Sequence, residues 1–180
     1  QFKAIGQGRQ PNPELSPLDV SYSLAVTRTA FEVRRCLLSS AEDWGHSQLG
    51  KQLRAFSPPL LKRGGELGIL FSGQGSQRVG MGLELRNEPG FAVFRQVFEE
   101  LTKACDEHLP RALLGVIETG EELGQTRYTQ PALFCLEVAL YRQWEAWGVR
   151  PRVLGGHSIG ELAAPHIGGV MDTEWAVGLV

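Results

Sequence analysis

The 180-residue sequence has little cysteine, almost no charge imbalance and no long apolar run. Its three cysteines, Cys36, Cys105 and Cys135, lie far apart and form no C-x-x-C pair. That spacing argues against a disulfide framework and a cysteine-based zinc site, and it fits a reducing, cytoplasmic setting. No apolar stretch approaches the roughly 20 residues a membrane-spanning helix needs. The opening QFKAIGQG carries no signal-peptide pattern. A formal net charge of −2 leaves no basic footprint for nucleic acid. A starting Met is also missing, and the C-terminal MDTEWAVGLV reads as a helix that Asp172 caps but nothing closes. Both ends lead us to expect a piece of a longer chain. The remainder, 42% hydrophobic and 21% charged, is the composition of an ordinary globular protein.

Residues 1–18 hold Gly6, Gly8, Pro11, Pro13 and Pro17, which is linker composition. Ser16-Pro17 reads as an N-cap followed by proline at the first helical position, with Val20, Leu24 and Thr27 on one face of a short helix. Phe31–Leu38 is a candidate strand. Leu49, Leu53 and Phe56 follow at helical spacing, so a helix is expected near 47–56. Ser57–Gly65, with two prolines and two glycines, marks a boundary. We therefore divide the chain into 1–65, too small for a large core of its own, and 66–180.

Beyond the boundary the rhythm is strand, turn, helix, strand, turn, helix, that of an α/β fold with a parallel sheet. Leu67–Phe71 is a short apolar strand that runs into the Gly-rich loop Ser72–Gly82. Phe91, Phe94, Phe98, Leu101 and Cys105 predict a helix near 91–106, and Leu113, Leu114 and Ile117 a shorter one. Gln125–Gln130 reads as a polar loop. Pro131 then starts a long helix that Gly148 stops. Residues 151–156, PRVLGG, form the second strand.

Gly156-His157-Ser158-Ile159-Gly160 matches G-x-S-x-G. That spacing suits a sharp strand-to-helix turn with the serine strained at its tip. Residues two before and two after the serine approach so closely that only glycine fits both places. The turn exposes Oγ at a helix N-terminus, where free N–H groups favour negative charge. The Ile159 N–H would face the oxyanion of a tetrahedral intermediate. The competing reading is a Gly-rich turn that happens to hold a serine. The loop SGQGSQ fails the dinucleotide fingerprint at Arg78, and no Gly-Lys-Ser/Thr makes it a P-loop. Glycines on both sides of Gln74 let a backbone N–H come close to a ligand, as the second donor of an oxyanion hole must.

FSGQGSQRVGMG, YTQPALFCLEVALYRQWEAWG and GHSIGELAA stand in the order and approximate spacing of the malonyl-CoA:acyl-carrier-protein transacylases. The chain most resembles the acyltransferase domains of modular type I polyketide synthases. Leu18–Arg35 resembles the segment that joins ketosynthase to acyltransferase in those enzymes. The resemblance implies an α/β-hydrolase-like parallel-sheet core, of which 66–180 is the N-terminal part, preceded by a small α/β linker region. It implies that Ser158 takes the acyl group from coenzyme A and that Gln74 and Ile159 supply the oxyanion N–H groups. Gln130 matches a glutamine that fixes the active-site geometry, although it also reads as a helix-capping residue before Pro131. His157 matches a substrate-site position beside the serine. The implied partners are malonyl-CoA, the phosphopantetheine of an acyl carrier protein, the adjacent ketosynthase and the remainder of the acyltransferase domain. No metal or tightly bound cofactor is implied, and neither a nucleic acid nor a membrane is expected as a partner. The family's base histidine and carboxylate-binding arginine would lie beyond Val180, so the chain alone is expected to be inactive. Ile159 stands where methylmalonyl-selecting relatives often carry glutamine, which implies a malonyl unit. Pro165 departs from the family pattern and should kink the helix after the serine.

Two rival readings remain. A serine esterase or thioesterase of the α/β-hydrolase type shares G-x-S-x-G but gives the acyl group to water; it lacks the GQGSQ loop and would carry an HGGG-type one. A non-catalytic scaffold piece would carry a vestigial serine.

Overall fold

The computed structural model describes residues 16–27, 29 and 65–180. The chain falls into two units, Gln1–Gly64 and Gly65–Val180. The strand expected over Phe31–Leu38 and the helix near 47–56 lie outside the described residues. In the first unit, helix α1 spans Pro17–Thr27. The Ser16 Oγ accepts the Asp19 N–H at 3.1 Å, the N-cap that the Ser-Pro pair predicts. Val20 and Leu24 are half-buried, while Thr27 is exposed and turns its hydroxyl back to the Ser23 carbonyl at 2.5 Å.

The second unit is mixed α/β. Strand β1, Gly68–Phe71, pairs in parallel with β2, Val153–Gly156, in the register Gly68↔Val153 to Phe71↔Gly156. Between them run α2 (Leu83–Asn87), a 3₁₀ turn at Pro89–Phe91, α3 (Ala92–Asp106), α4 (Leu113–Thr119) and α5 (Thr126–Ala146). Helices α6 (Gly160–Ile167) and α7 (Thr173–Leu179) follow β2. Parallel strands need such a long crossover, and the helices inside it supply the core. On α3 the buried residues are Phe94, Phe98, Leu101, Thr102 and Cys105, the helical stripe expected from the spacing. Phe94 and Phe98 stack at 5.2 Å, and the stripe packs on α5. Helix α5 is the central element, with buried residues on most of its circumference. Among the described residues, no helix is long and apolar enough to cross a membrane.

Helix ends are tied by side chains from elsewhere. Buried Gln143 on α5 accepts the Phe94 N–H at 3.0 Å near the start of α3. Asp106 accepts the Leu113 N–H at 2.7 Å at the start of α4. Asp172 caps α7 through the Trp175 N–H at 2.8 Å, as its position predicts. Each bond satisfies a donor that the helix itself leaves free.

One expectation needs correction. Gln125–Gln130 is not a loop: α5 already begins at Thr126, and Tyr128 and Thr129 are fully buried. Pro131 therefore sits inside the helix, where only the bond its own N–H would have given Arg127 is lost. The Thr129 hydroxyl bonds the Leu123 carbonyl at 2.5 Å and anchors this first turn. Pro165 likewise lies inside α6, which continues to Ile167. The Pro165 carbonyl accepts the Val170 N–H at 2.9 Å and the His166 carbonyl accepts Gly169 at 3.1 Å, the bond pair of a Schellman C-terminus.

Candidate active site

The site grows from the parallel edge where both strands end. Phe71 closes β1 and Gly156 closes β2 directly opposite it. The chain then turns at Ser158, which has φ 54°. A serine in this left-handed region is strained, and the surrounding structure has to hold it there. The flanking glycines show how. A Cβ on Gly156 would run into the Gly160 carbonyl group and lie 2.5 Å from the Glu161 nitrogen. A Cβ on Gly160 would lie 2.6 Å from the Phe71 carbonyl oxygen. The turn is therefore folded against itself and against β1, as the glycine spacing predicts. The His157 N–H donates to the Phe71 carbonyl at 3.1 Å and ties the turn to the strand.

The loop after β1 comes to the same place. A Cβ on Gly73 would lie 2.8 Å from the His157 ring and 3.2 Å from the Ser158 Cβ, so the Gly73 backbone packs beside the serine. The loop is braced internally by the Ser76 hydroxyl, 3.1 Å from the Gly73 carbonyl and 2.9 Å from the Ser72 hydroxyl. Gln74, between the two glycines, reaches Thr126 at the start of α5 through its Nε2 at 3.4 Å. Among the described residues, neither the Gln74 nor the Ile159 backbone N–H has a hydrogen-bond acceptor. His157 and Ser158 are exposed, whereas Ile159 is buried and anchors the start of α6.

Ser158, His157, Ile159 and the Gln74 loop are thus brought together. Gln130 sits half-buried in the second turn of α5. Among the described residues no hydrogen bond joins it to the serine; its link to the site is that Thr126, one turn earlier, holds Gln74. His166 is turned to other work: its Nδ1 lies 3.1 Å from the Met171 carbonyl and its ring packs on Phe134.

The sequence reading missed one residue under the loop. Buried Glu137 on α5 accepts both the Ser72 N–H, at 2.8 Å, and the Ser72 hydroxyl, at 2.6 Å, on Oε1. Burial pushes its carboxyl above the usual range, against the smaller opposing effect of the two Ser72 bonds.

A strained serine at a strand-to-helix turn, with a Gly-rich loop from the neighbouring strand beside it, is the geometry of the nucleophile-elbow class of proteins. The chain belongs to the family described as Acyl transferase domain, which matches residues 69–180. Polyketide synthase GfsB of Streptomyces halstedii is 47% identical over 174 residues, which cover 93% of this chain and 3% of that protein. The solved acyltransferase domain from the second module of the salinomycin polyketide synthase superposes with a TM-score of 0.65 at 41% identity, over 90% of this chain and 39% of that one. The malonyl CoA-acyl carrier protein transacylase of Coxiella burnetii gives a TM-score of 0.52 at 38% identity, over 62% of this chain and 34% of its own. The chain therefore spans a small part of the curated relative and well under half of either solved chain.

Proposed function

We propose that residues 66–180 are the N-terminal part of an acyltransferase domain in a polyketide synthase, preceded over 1–65 by part of the ketosynthase-to-acyltransferase linker. In this reading the complete domain transfers a malonyl unit from coenzyme A to an acyl carrier protein, with Ser158 as nucleophile. The observation that carries it is the strained Ser158 with the Gly73 backbone packed against its Cβ. The Ser158 Oγ attacks the thioester carbonyl and loses its proton to a base. The oxyanion that forms takes hydrogen bonds from the unengaged Gln74 and Ile159 N–H groups. The C–S bond then breaks, coenzyme A leaves as the thiol, and an acyl-serine ester remains. Attack by the phosphopantetheine thiol repeats the steps in reverse order and frees Ser158. No metal enters this sequence. His157, exposed beside Gly73, and Gln130, on the helix that holds Gln74, line the substrate side.

The wider assignment draws on the relatives. The Coxiella burnetii protein is called a malonyl CoA-acyl carrier protein transacylase, and the GfsB and salinomycin proteins are polyketide synthases. The α/β-hydrolase-like description rests on the parallel strand pair with the elbow at its end. Leu70 at 84% and Val153 at 56% exposure leave apolar surface on the sheet, of the kind a further layer of the same domain covers. The same reading places the protein in a reducing, cytoplasmic setting, as its few and scattered cysteines suggest.

The test loads the complete domain with labelled malonyl-CoA, removes excess substrate, and follows the label in buffer with and without carrier protein. A label that persists in buffer and discharges onto the carrier thiol is expected. Discharge to water at the same rate would make the protein a hydrolase.

A further inference from the structure

Among the described residues Glu137 is the one buried charged side chain, at 7% exposure. It interrupts an apolar face of α5 made by Leu133, Leu136 and Leu140, which lines a cavity of about 620 Å³ with Phe71 and Ser72. A leucine there would continue that face. A buried carboxylate instead carries a desolvation cost, and only its Oε1 is satisfied; among the described residues Oε2 has no partner. Both bonds on Oε1 come from Ser72. Bonds to an ionised acceptor are shorter and stronger than neutral ones. Ser72 is the first residue after β1, and the next residue is Gly73, whose backbone lies against Ser158. The Ser76 hydroxyl closes the loop back onto Ser72 and Gly73. Glu137 thus holds the point from which the Gln74 loop departs, without touching the serine.

We infer that Glu137 is a positioning residue: through Ser72 it sets the distance between the Gly73–Gly75 backbone and Ser158. This rests on the proposed roles of Ser158 and the Gln74 N–H. It adds a requirement that those roles do not contain, that an acid on α5 must grip Ser72 for the oxyanion donor to be in place. Catalytic geometry is steep in such offsets, since a displacement near 1 Å costs on the order of a hundredfold in rate. An acceptor at Glu137 therefore matters to the chemical step more than to substrate affinity.

The experiment measures single-turnover acylation of Ser158 by malonyl-CoA in the complete domain, over a range of substrate concentrations, with thermal unfolding in parallel. For Glu137→Ala the maximal acylation rate should fall about tenfold to a hundredfold, with the half-saturating concentration within about threefold of the parent. Glu137→Gln keeps an acceptor oxygen for Ser72 and should recover to within about fivefold of the parent. A purely structural role would lower the melting temperature of Glu137→Ala and leave acylation by the folded enzyme unchanged; that result overturns the inference. Should the alanine variant not fold, Glu137→Asp keeps the charge but falls one methylene short of Ser72. The same loss in rate is expected, and parental acylation by the aspartate variant overturns the inference. Absence of acylation in the parent itself would overturn the proposed function, and this inference with it. Normal acylation by parent and variants alike would overturn this inference alone.

Discussion

Gly160→Ala adds one methyl group where the elbow meets β1, and the structure says what it would cost. The new Cβ would lie 2.6 Å from the Phe71 oxygen, 2.8 Å from its carbonyl carbon and 2.9 Å from its Cβ. Two of these atoms are backbone and cannot swing aside. Ordinary contact begins at 3.4 Å, so the start of α6 has to retreat from β1 by about 0.8 Å. The His157 N–H bond to the Phe71 oxygen, 3.1 Å in the parent, then stretches toward the limit of a hydrogen bond. Overpacking of this kind costs about 1–3 kcal/mol, and a weakened bond adds up to about 1 kcal/mol. The sum is a large fraction of the roughly 5–15 kcal/mol that keeps a domain folded. Acylation should fall further than stability does, because Ser158 moves with α6 relative to the Gln74 loop. Denaturant unfolding and single-turnover acylation of the complete domain measure the two effects. Gly115→Ala is the control: the same methyl added inside α4 meets nothing within 4 Å and should stabilise by about 0.5–1 kcal/mol. Gly160→Ala with parental stability and parental acylation would refute the packing of the elbow on β1.

Further expectations follow from other parts of the unit. Because burial raises the Glu137 carboxyl, the folded state holds that proton more tightly than the unfolded chain, so this group's contribution to stability falls as pH rises from 4.5 through the raised value. Glu137→Gln removes that dependence, so its melting temperature relative to the parent should increase across that window; a flat difference would contradict the burial of the charge. Asp172→Ala removes the Trp175 N–H acceptor at the start of α7 and should cost about 0.5–2 kcal/mol in denaturant unfolding. With both thioesters in one reaction, malonyl should be preferred over methylmalonyl; one methyl is worth about 1–3 kcal/mol of discrimination in a pocket, and the opposite preference would overturn the reading of Ile159.

How far the sequence reaches depends on whether a residue's reason is local. The elbow was legible because part of its reason lies within five residues: a Cβ on Gly156 strikes the Gly160 and Glu161 backbone, whereas Gly160 is glycine because of Phe71 on the neighbouring strand. The caps at Ser16 and Asp172 were legible for the same reason. The start of α5 was not. Pro131 looked like a first helical residue, yet the helix begins at Thr126, because burial of Tyr128 and Thr129 outweighs the one bond the proline removes. Glu137 was invisible as a site residue because its partner, Ser72, is 65 residues away. A signal was present all the same: an acid on the stripe of Leu133, Leu136 and Leu140 is out of place in a core and asks for a donor. The Gln74 contact with Thr126, 52 residues apart, carries no such mark in the sequence.

The central claim is that Ser158 carries the acyl group. Incubating the complete domain with malonyl-CoA, quenching in acid and mapping the mass adduct by peptide digestion tests it directly. A single malonyl adduct on the peptide that contains Ser158, absent in Ser158→Ala, is the predicted result. An adduct on any other residue, or full labelling of Ser158→Ala, would contradict the account.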